Sequence, residues 1–465
     1  MHTRDTAAAG ARPTPARPRI RTVPLIAAVA TGCLLAGLTA CSGGDSASSS
    51  SNVTLTIGEW TNPGAIEFTK ELNAAFEKEH PGVTVKLQQA PTANGAWQQL
   101  TSSMLQSKSV DVLAQFAPTQ QGFAPSYTNM KPGGSAALVA SGQLVDLKDQ
   151  PFMKSYDLDR QKAAVGYKDG IYGVMAAEYV SAGAVWYKKD LLAQHGIEVP
   201  ETLQEFLDAC AKLKDKGVTP IFAAAKEGMQ GGVWQGIMNQ TLMAGRPATD
   251  SVKVSSDRAE AFWKKKESWT DPVYKEISEQ YQKVVQYLEP GATGVAQQTA
   301  PGVWASQPDD FPFLLDGSWD GAAIQQANPK LNLGFFMLPG TDDRAANRVA
   351  VKPDLTWVVP TSAPHRDLAM EWLEFFSRPE NYKKWLTSTG SVSTQPAVKN
   401  TGLPWMDWLN SHMTDSFPLL TVPWTPVGAS TDAAGPDLSK MAPVGSESVD
   451  TVLERSARAY QKAVQ

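Results

Sequence analysis

The 465-residue chain is 42% apolar and 19% charged, a balance that supports a sizeable core and excludes global disorder. Its length admits about three domains or one large two-lobed α/β protein. With 42 Lys and Arg against 47 Asp and Glu the net charge is −5, and no long basic run exists to track a phosphate backbone, so nucleic acid is excluded as a natural partner.

Residues 1–40 hold Arg4, Arg12, Arg17, Arg19 and Arg21 but a single acid, Asp5. Removing these five of the 42 bases and one of the 47 acids leaves a distinctly acidic remainder of net charge −9. After Arg21 comes a charge-free apolar run from Val23 to Leu35 and then small residues, the build of a secretory signal. It closes on Leu38-Thr39-Ala40-Cys41, which resembles a bacterial lipobox; that resemblance implies cleavage before Cys41 and its lipidation. The serine-rich stretch 42–51 is too poor in apolar side chains to pack and reads as a tether, so that 1–40 is signal and 41–52 is anchor and leash. A plain N-terminal membrane helix is the alternative, because 22–44 carries no charge. Beyond Cys33 and Cys41 only Cys210 is left, which permits no disulfide. It shares an apolar helix face with Leu203, Phe206, Leu207 and Leu213 and reads as a buried, inert thiol.

The mature chain opens with Val53, Leu55 and Ile57 alternating with threonines, a strand. Phe68, Leu72, Ala75 and Phe76 then recur at helical spacing up to His80-Pro81-Gly82. A strand at Val83, Val85 and Leu87, a helix carrying Trp97, Leu100, Met104 and Leu105, and a strand over 110–116 complete a β-α-β-α-β order. Alternation of this kind predicts a parallel sheet with helices on both faces. Ligands of such sheets bind beyond the carboxyl ends of the strands, which makes 59–62, 89–94 and 115–119 site candidates. Strands follow at 172–174 and 184–187, and Thr202-Leu203-Gln204-Glu205 is a capping box opening a helix that runs to Lys216. Strands are predicted at 221–225, 333–338 and 356–359, and a short apolar run lies at 311–315. Helices are predicted across most of 255–289, broken at Asp271-Pro272, over 367–377, and at the C-terminus through Val449, Val452, Leu453, Ala457 and Tyr460.

Tyr167-Lys168-Asp169-Gly170-Ile171-Tyr172-Gly173-Val174, followed by Trp186-Tyr187-Lys188-Lys189-Asp190-Leu191-Leu192, resembles the solute-binding lipoproteins of carbohydrate ABC importers, the family-1 proteins similar to maltose- and oligosaccharide-binding proteins. Further motifs agree in order: Gly196-Ile197-Glu198-Val199-Pro200-Glu201-Thr202 before the capped helix, Phe313-Leu314-Leu315-Asp316-Gly317-Ser318-Trp319, Leu338-Pro339-Gly340, and Val358-Val359-Pro360 before the 367–376 helix. The resemblance implies an α/β, two-lobed periplasmic-binding-protein-like fold with a ligand cleft between discontinuous lobes. One lobe comprises 53–177 plus 338–396 and the other 178–337 plus 397–465, with crossovers near 176–181, 337–341 and 394–399. It further implies a sugar or oligosaccharide ligand, hinge closure, docking on ABC permease subunits and a monomeric receptor. The receptor would have no cofactor, metal or catalytic residue and would be held at the extracellular face of the membrane through Cys41.

Sugars present apolar C–H faces that stack on flat rings and hydroxyl edges that need directional partners. The chain has 14 tryptophans against 11 tyrosines. Trp60, Trp234, Trp319, Trp357 and Trp424 fall in predicted turns or near strand ends and are the stacking candidates; Trp263, Trp269, Trp372 and Trp385 fall in helix-like segments and read as structural. Glu178 lies at the first crossover, where the resemblance places a ligand-binding carboxylate. Glu59, Gln115, Asp320 and Asp354 lie near predicted strand or loop ends, and Phe116 and Tyr179, beside Gln115 and Glu178, complete the set. Two features depart from the family: the segment before Val358 is Val351-Lys352-Pro353-Asp354-Leu355-Thr356-Trp357 rather than glycine-rich, and 404–440 is rich in Pro and Trp.

An exported carbohydrate-active enzyme is the competing class, since 46 acids always permit a glycosidase pair. No Gly-x-Ser-x-Gly elbow and no P-loop occur, and the scattered histidines give no support to zinc or triad chemistry. A surface binding or sensor module on the same fold is the third class.

Overall fold

Alternating apolar residues at 53–57 continue into an eight-residue strand, and fourteen strands occur among the residues that the computed structural model describes, 52–92, 95–118, 123–128 and 130–465. They are β1 (Val53–Trp60), β2 (Val83–Ala90), β3 (Val112–Phe116), β4 (Gly166–Tyr167), β5 (Gly170–Ile171), β6 (Val174–Met175), β7 (Glu178–Tyr179), β8 (Ala184–Lys188), β9 (Ile221–Ala223), β10 (Phe313–Leu315), β11 (Leu333–Met337), β12 (Ala350–Pro353), β13 (Leu355–Val358) and β14 (Phe417–Pro418). The signal, Cys41 and the tether through 51 lie outside the described residues, as do Asn94 and Thr119.

The first sheet has the order β2-β1-β3-β13-β6. β1 runs parallel to β2 and β3, as the β-α-β-α-β order predicts. The sheet is nevertheless mixed: β13 is antiparallel to both β3 and β6. The physical reason is that β13 follows directly on β12 instead of entering through the helical crossover a parallel neighbour needs. The predicted 172–174 strand is likewise split, with Tyr172 lying between β5 and β6.

The second sheet has the order β11-β8-β10-β9. Both of its faces are covered, and strand alternation sorts the side chains. Phe313 and Leu315 of β10 enter one core with Phe206, while Leu314 enters the other with Trp186. The first sheet has its own core, built around Trp357, Trp372, Phe376 and Trp385. A short third sheet, β14-β12-β7, lies where the chain passes between the two larger ones.

Local signals account for the helices that position these layers. Asn62 caps the helix Pro63–Glu79 by accepting from the Ala65 amide at 3.3 Å, with proline in the first turn. Both halves of the Thr202/Glu205 capping box are made at the start of Leu203–Asp215, whose buried face includes Cys210. The helix Gly231–Met243 is not foreshadowed by any periodic stripe, because eight of its residues, polar Asn239 and Gln240 among them, are buried. Among the described residues no helix is long and apolar enough to cross a membrane.

Candidate functional site

The carboxyl ends of β1 and β3 meet the start of β13 and the β7/β12 pair at one place. The backbone of Asp354 marks it. Its carbonyl accepts from Ala117 at 3.2 Å, just past β3, and its amide donates to Ala177 at 3.1 Å, just before β7. The register sets Lys352 opposite Tyr179 and Leu355 opposite Phe116.

One wall of this junction is aromatic and belongs to the first sheet. Trp60, the last residue of β1, stacks on Phe116 at 4.6 Å and 18°, and the edge of Trp97 backs it at 6.1 Å. Trp60 is only 7% exposed, so the Phe116 ring is the outer plate of the pair. Lys352 holds its Nζ 5.9 Å from the Phe116 centroid and 3.1 Å from the Asp354 carboxylate, which neutralises it.

The other wall comes from the loop after β10. Ser318 ties that loop to the crossover: its amide donates to the Val180 carbonyl at 2.9 Å and its hydroxyl accepts from the Val180 amide at 3.1 Å. Trp319 then lies flat over Gly317, where a Cβ would sit 2.2 Å from the indole, so a side chain at 317 is incompatible with this ring position. The indole is half-buried against the core of the first sheet and meets Tyr179 edge-on at 5.8 Å.

Buried acids adjoin both walls. Glu59 is fully buried, and neither of its carboxyl oxygens makes a hydrogen bond. Burial pushes its pKa up to about 8, only partly offset by the neighbouring Thr69 hydroxyl, so the group is largely a neutral acid at pH 7. Tyr179 lies close enough to Glu59 and Asp354 that both raise its phenol beyond what burial alone does. Asp316 and Asp320 flank Trp319 and interact directly. Burial lifts Asp316 to about 6 and Asp320 well above the ordinary range, with the Asp316 charge raising Asp320 further. The Gly317 amide donates to one Asp316 oxygen at 2.8 Å, while Oδ2 of each aspartate has no partner. Nε2 of Gln115, on β3, is also buried and unpartnered. Buried groups left in this state bind well to a ligand that supplies the missing hydrogen bonds.

Six of the expected site residues are linked by contacts, Glu59, Trp60, Phe116, Tyr179, Trp319 and Asp354, while Gln115 and Asp320 adjoin Phe116 and Trp319 along the chain. Four are placed elsewhere. Glu178 alternates with Tyr179 along β7 and points the other way, to an ion pair with Arg160 at 2.9 Å. Its pKa is raised by burial, against the pull of Arg160 and with Asp157 adding to the rise. Trp234 is helical rather than in a turn, and its indole is buried and donates to the Ser278 hydroxyl at 3.0 Å. Trp357 is wholly enclosed by Trp372, Phe376 and Trp385. Trp424 packs on Trp263 at 6.0 Å. Trp269 sits in a turn rather than a helix, but is fully buried, as a structural residue should be.

Sequence reasoning passed over Lys352 and Asp316. A signal for Asp316 was available: Asp316-Gly317-Ser318-Trp319-Asp320 sets two carboxyls around one indole. Lys352 carries none, because only pairing across β7 and β12 brings it to the junction. Among the described residues no group of three or more His, Cys, Asp and Glu side chains is arranged to hold a metal ion.

Comparison with known proteins places this geometry among similar folds. The family profile for bacterial extracellular solute-binding proteins matches residues 62–383, well over half of the chain. An uncharacterized ABC transporter extracellular-binding protein of Pyrococcus horikoshii is 23% identical over 390 residues, covering 79% of this chain and 77% of that protein. The multiple sugar-binding protein of Streptococcus mutans is 23% identical over 333 residues, 71% of this chain and 72% of the other. Among solved structures, the solute-binding protein RafE in complex with raffinose superposes with a TM-score of 0.67 at 18% identity, covering 89% of this chain and all of RafE; its ligand-free form is described from Streptococcus pneumoniae.

Proposed function

The chain belongs to the bacterial extracellular solute-binding protein family, and on that premise we propose that it is the receptor of a carbohydrate ABC importer, binding a sugar or short oligosaccharide and releasing it unchanged to a permease. One observation carries this reading: the aromatic plates Phe116/Trp60 and Trp319/Tyr179 border a junction where Glu59, Gln115, Asp316 and Asp320 present buried polar atoms without partners. Flat apolar faces beside unpaired donors and acceptors match a pyranose, with its C–H faces and hydroxyl edges. The cation at the junction, Lys352, is matched by Asp354, which favours a neutral ligand over an anionic one. The names of the Streptococcus mutans relative and of the RafE complex point the same way.

The lobes in this reading are 53–177 plus 338–396 and 178–337 plus 397–465. The support is that β1–β3, β6 and β13 share one sheet while β8–β11 form another. Closing the lobes on a ligand is a hinge motion, and moving the population from 1:99 to 99:1 takes ~5.5 kcal/mol of differential binding. The Leu38-Thr39-Ala40-Cys41 motif supports a lipid anchor that keeps the receptor beside its permease on the outer face of the membrane.

Titration calorimetry of the full chain in detergent against raffinose, simple hexoses, peptides and polyamines tests the proposal. Heat of binding with one or more sugars is expected, with recovery of the sugar intact. Trp319→Ala should weaken that binding at least tenfold while Glu178→Gln, which points away from the junction, leaves it within about twofold, an aromatic plate being worth on the order of 1 kcal/mol beyond its buried area. Binding of peptides or polyamines with none of the sugars would overturn the reading.

A further inference from the structure

The Pro- and Trp-rich stretch after β14 plays no part in the junction, yet it is firmly built. The Leu419 amide donates to Val351 at 2.8 Å, the Leu420 amide to the Asn239 side chain at 2.7 Å and the Thr421 amide to the Ser255 hydroxyl at 3.2 Å. The Trp424 carbonyl accepts from the Tyr460 hydroxyl at 3.3 Å. Asn239 and Tyr460 both belong to the body of the second sheet, and Pro418, Pro423 and Pro426 restrict the backbone between these anchors. Trp424 packs on Trp263, the last residue of the helix Ser251–Trp263, at 6.0 Å and 54°.

The ring facing this pair comes from the other body. Tyr127 stands 6.1 Å from Trp263 at 55°. It lies in a turn fixed by Thr128, whose amide and hydroxyl both donate to the Pro125 carbonyl, at 2.9 and 2.7 Å. That turn is part of the first body: Phe123 packs on its core and stacks on Tyr167 at 4.7 Å, and the Ser135 hydroxyl donates to the Phe116 carbonyl at 2.8 Å. A second touch lies alongside, since a Cβ on Gly133 would come within 2.8 Å of Val427 Cγ2.

We infer that Tyr127, Trp263 and Trp424 form a latch between the two bodies, separate from the crossover strands, which favours the closed arrangement before any ligand arrives. The three are positioning residues. They act on the spacing of the walls that carry Phe116 and Trp319. Both sides of the latch are already ordered by their own bodies, so making the contact costs little further conformational entropy. The departure of 404–440 from the family pattern thereby gains a role. The inference rests on the two-lobed binding reading but not on the identity of the ligand.

Single-molecule FRET on the full chain in detergent, without sugar, tests it, with dyes introduced through unnatural amino acids at Lys108 and Lys216. Both are exposed, and they precede β3 and β9, at the strand ends opposite the junction, so their separation reports opening. Trp424→Ala should raise the open population about two- to tenfold, the range an aromatic contact supports. Tyr127→Ala, on the opposite body, should do the same, the double variant should add little to either, and Trp424→Phe should restore most of the wild-type distribution. Unchanged distributions in both alanine variants, each folded by far-UV circular dichroism, would overturn the latch. That outcome leaves the sugar reading standing, because no sugar enters the measurement.

Discussion

Glu59 occupies an unusual position for a carboxyl: buried, without a hydrogen bond, and with a pKa of about 8. In the unfolded chain it titrates near 4.5. Below that value both states hold the proton. Between about 4.5 and 8 the unfolded chain ionises while the folded protein keeps its proton, so stability falls as pH rises, and the loss is complete above about 8. Each tenfold gain in proton affinity on folding corresponds to ~1.4 kcal/mol, so the loss amounts to several kcal/mol. Glu59→Gln holds a neutral group of the same shape and removes this dependence. The gap between the urea midpoints at pH 5 and pH 8.5 should therefore narrow in the variant relative to the wild type, the remainder belonging to Asp316, Asp320 and Glu178, whose pKa values burial also raises; an unchanged gap would show that Glu59 is solvated. The residue was legible as a site candidate because it ends a strand, whereas its protonation was not, since that depends on burial by residues from elsewhere in the chain, which outweighs the opposing effect of the Thr69 hydroxyl.

At the level of elements, what could be read was what leaves a periodic or capping trace. The alternating β1 strand, the amphipathic helix Pro63–Glu79 and the Thr202/Glu205 capping box all have local causes, and all form where expected. Gly231–Met243 has no such trace. It is packed on several sides, so apolar and polar residues alike are buried and the 3.6-residue stripe disappears. For the same reason Trp234 looked like a loop residue. The helix is held by close backbone approach: Gly236 would bring a Cβ within 2.9 Å of the Gly183 Cα, and the Gly183 amide donates to the Gly232 carbonyl at 2.7 Å. Gly236→Ala forces the helix away from the crossover, and overpacking of this kind costs ~1–3 kcal/mol. A fall in the urea midpoint, with the slope unchanged, is the expected result. A midpoint equal to wild type would mean that the helix yields freely and that the contact is loose.

The whole molecule has two large sheets and separate cores, yet the chain does not finish one body before starting the next. β1 to β3 and β6 come first, the second sheet follows from β8 to β11, and only then does β13 return to fill the place between β3 and β6. Pairing across that gap could not be read from local pattern, because β12 and β13 are four residues each and β7, β3 and β6, with which they pair, lie more than 170 residues earlier. Without β13 the first sheet is split in two, and without the second body nothing brings β13 back. Further ties reinforce this dependence: the Ser318 loop on Val180, and Gly390, at the end of the helix Pro379–Thr389, packed against Trp405 of the second body. Two cores of this size on a sequential chain would be expected to melt separately. Here the interleaving couples them. Differential scanning calorimetry of the ligand-free protein should therefore show one endotherm whose calorimetric and van't Hoff enthalpies agree, and Trp357→Ala, which opens a cavity in the first core alone, should shift that single transition downward. Splitting into two peaks, with the second unmoved by the substitution, would show that the bodies unfold independently and that the returning strand does not bind them into one cooperative unit.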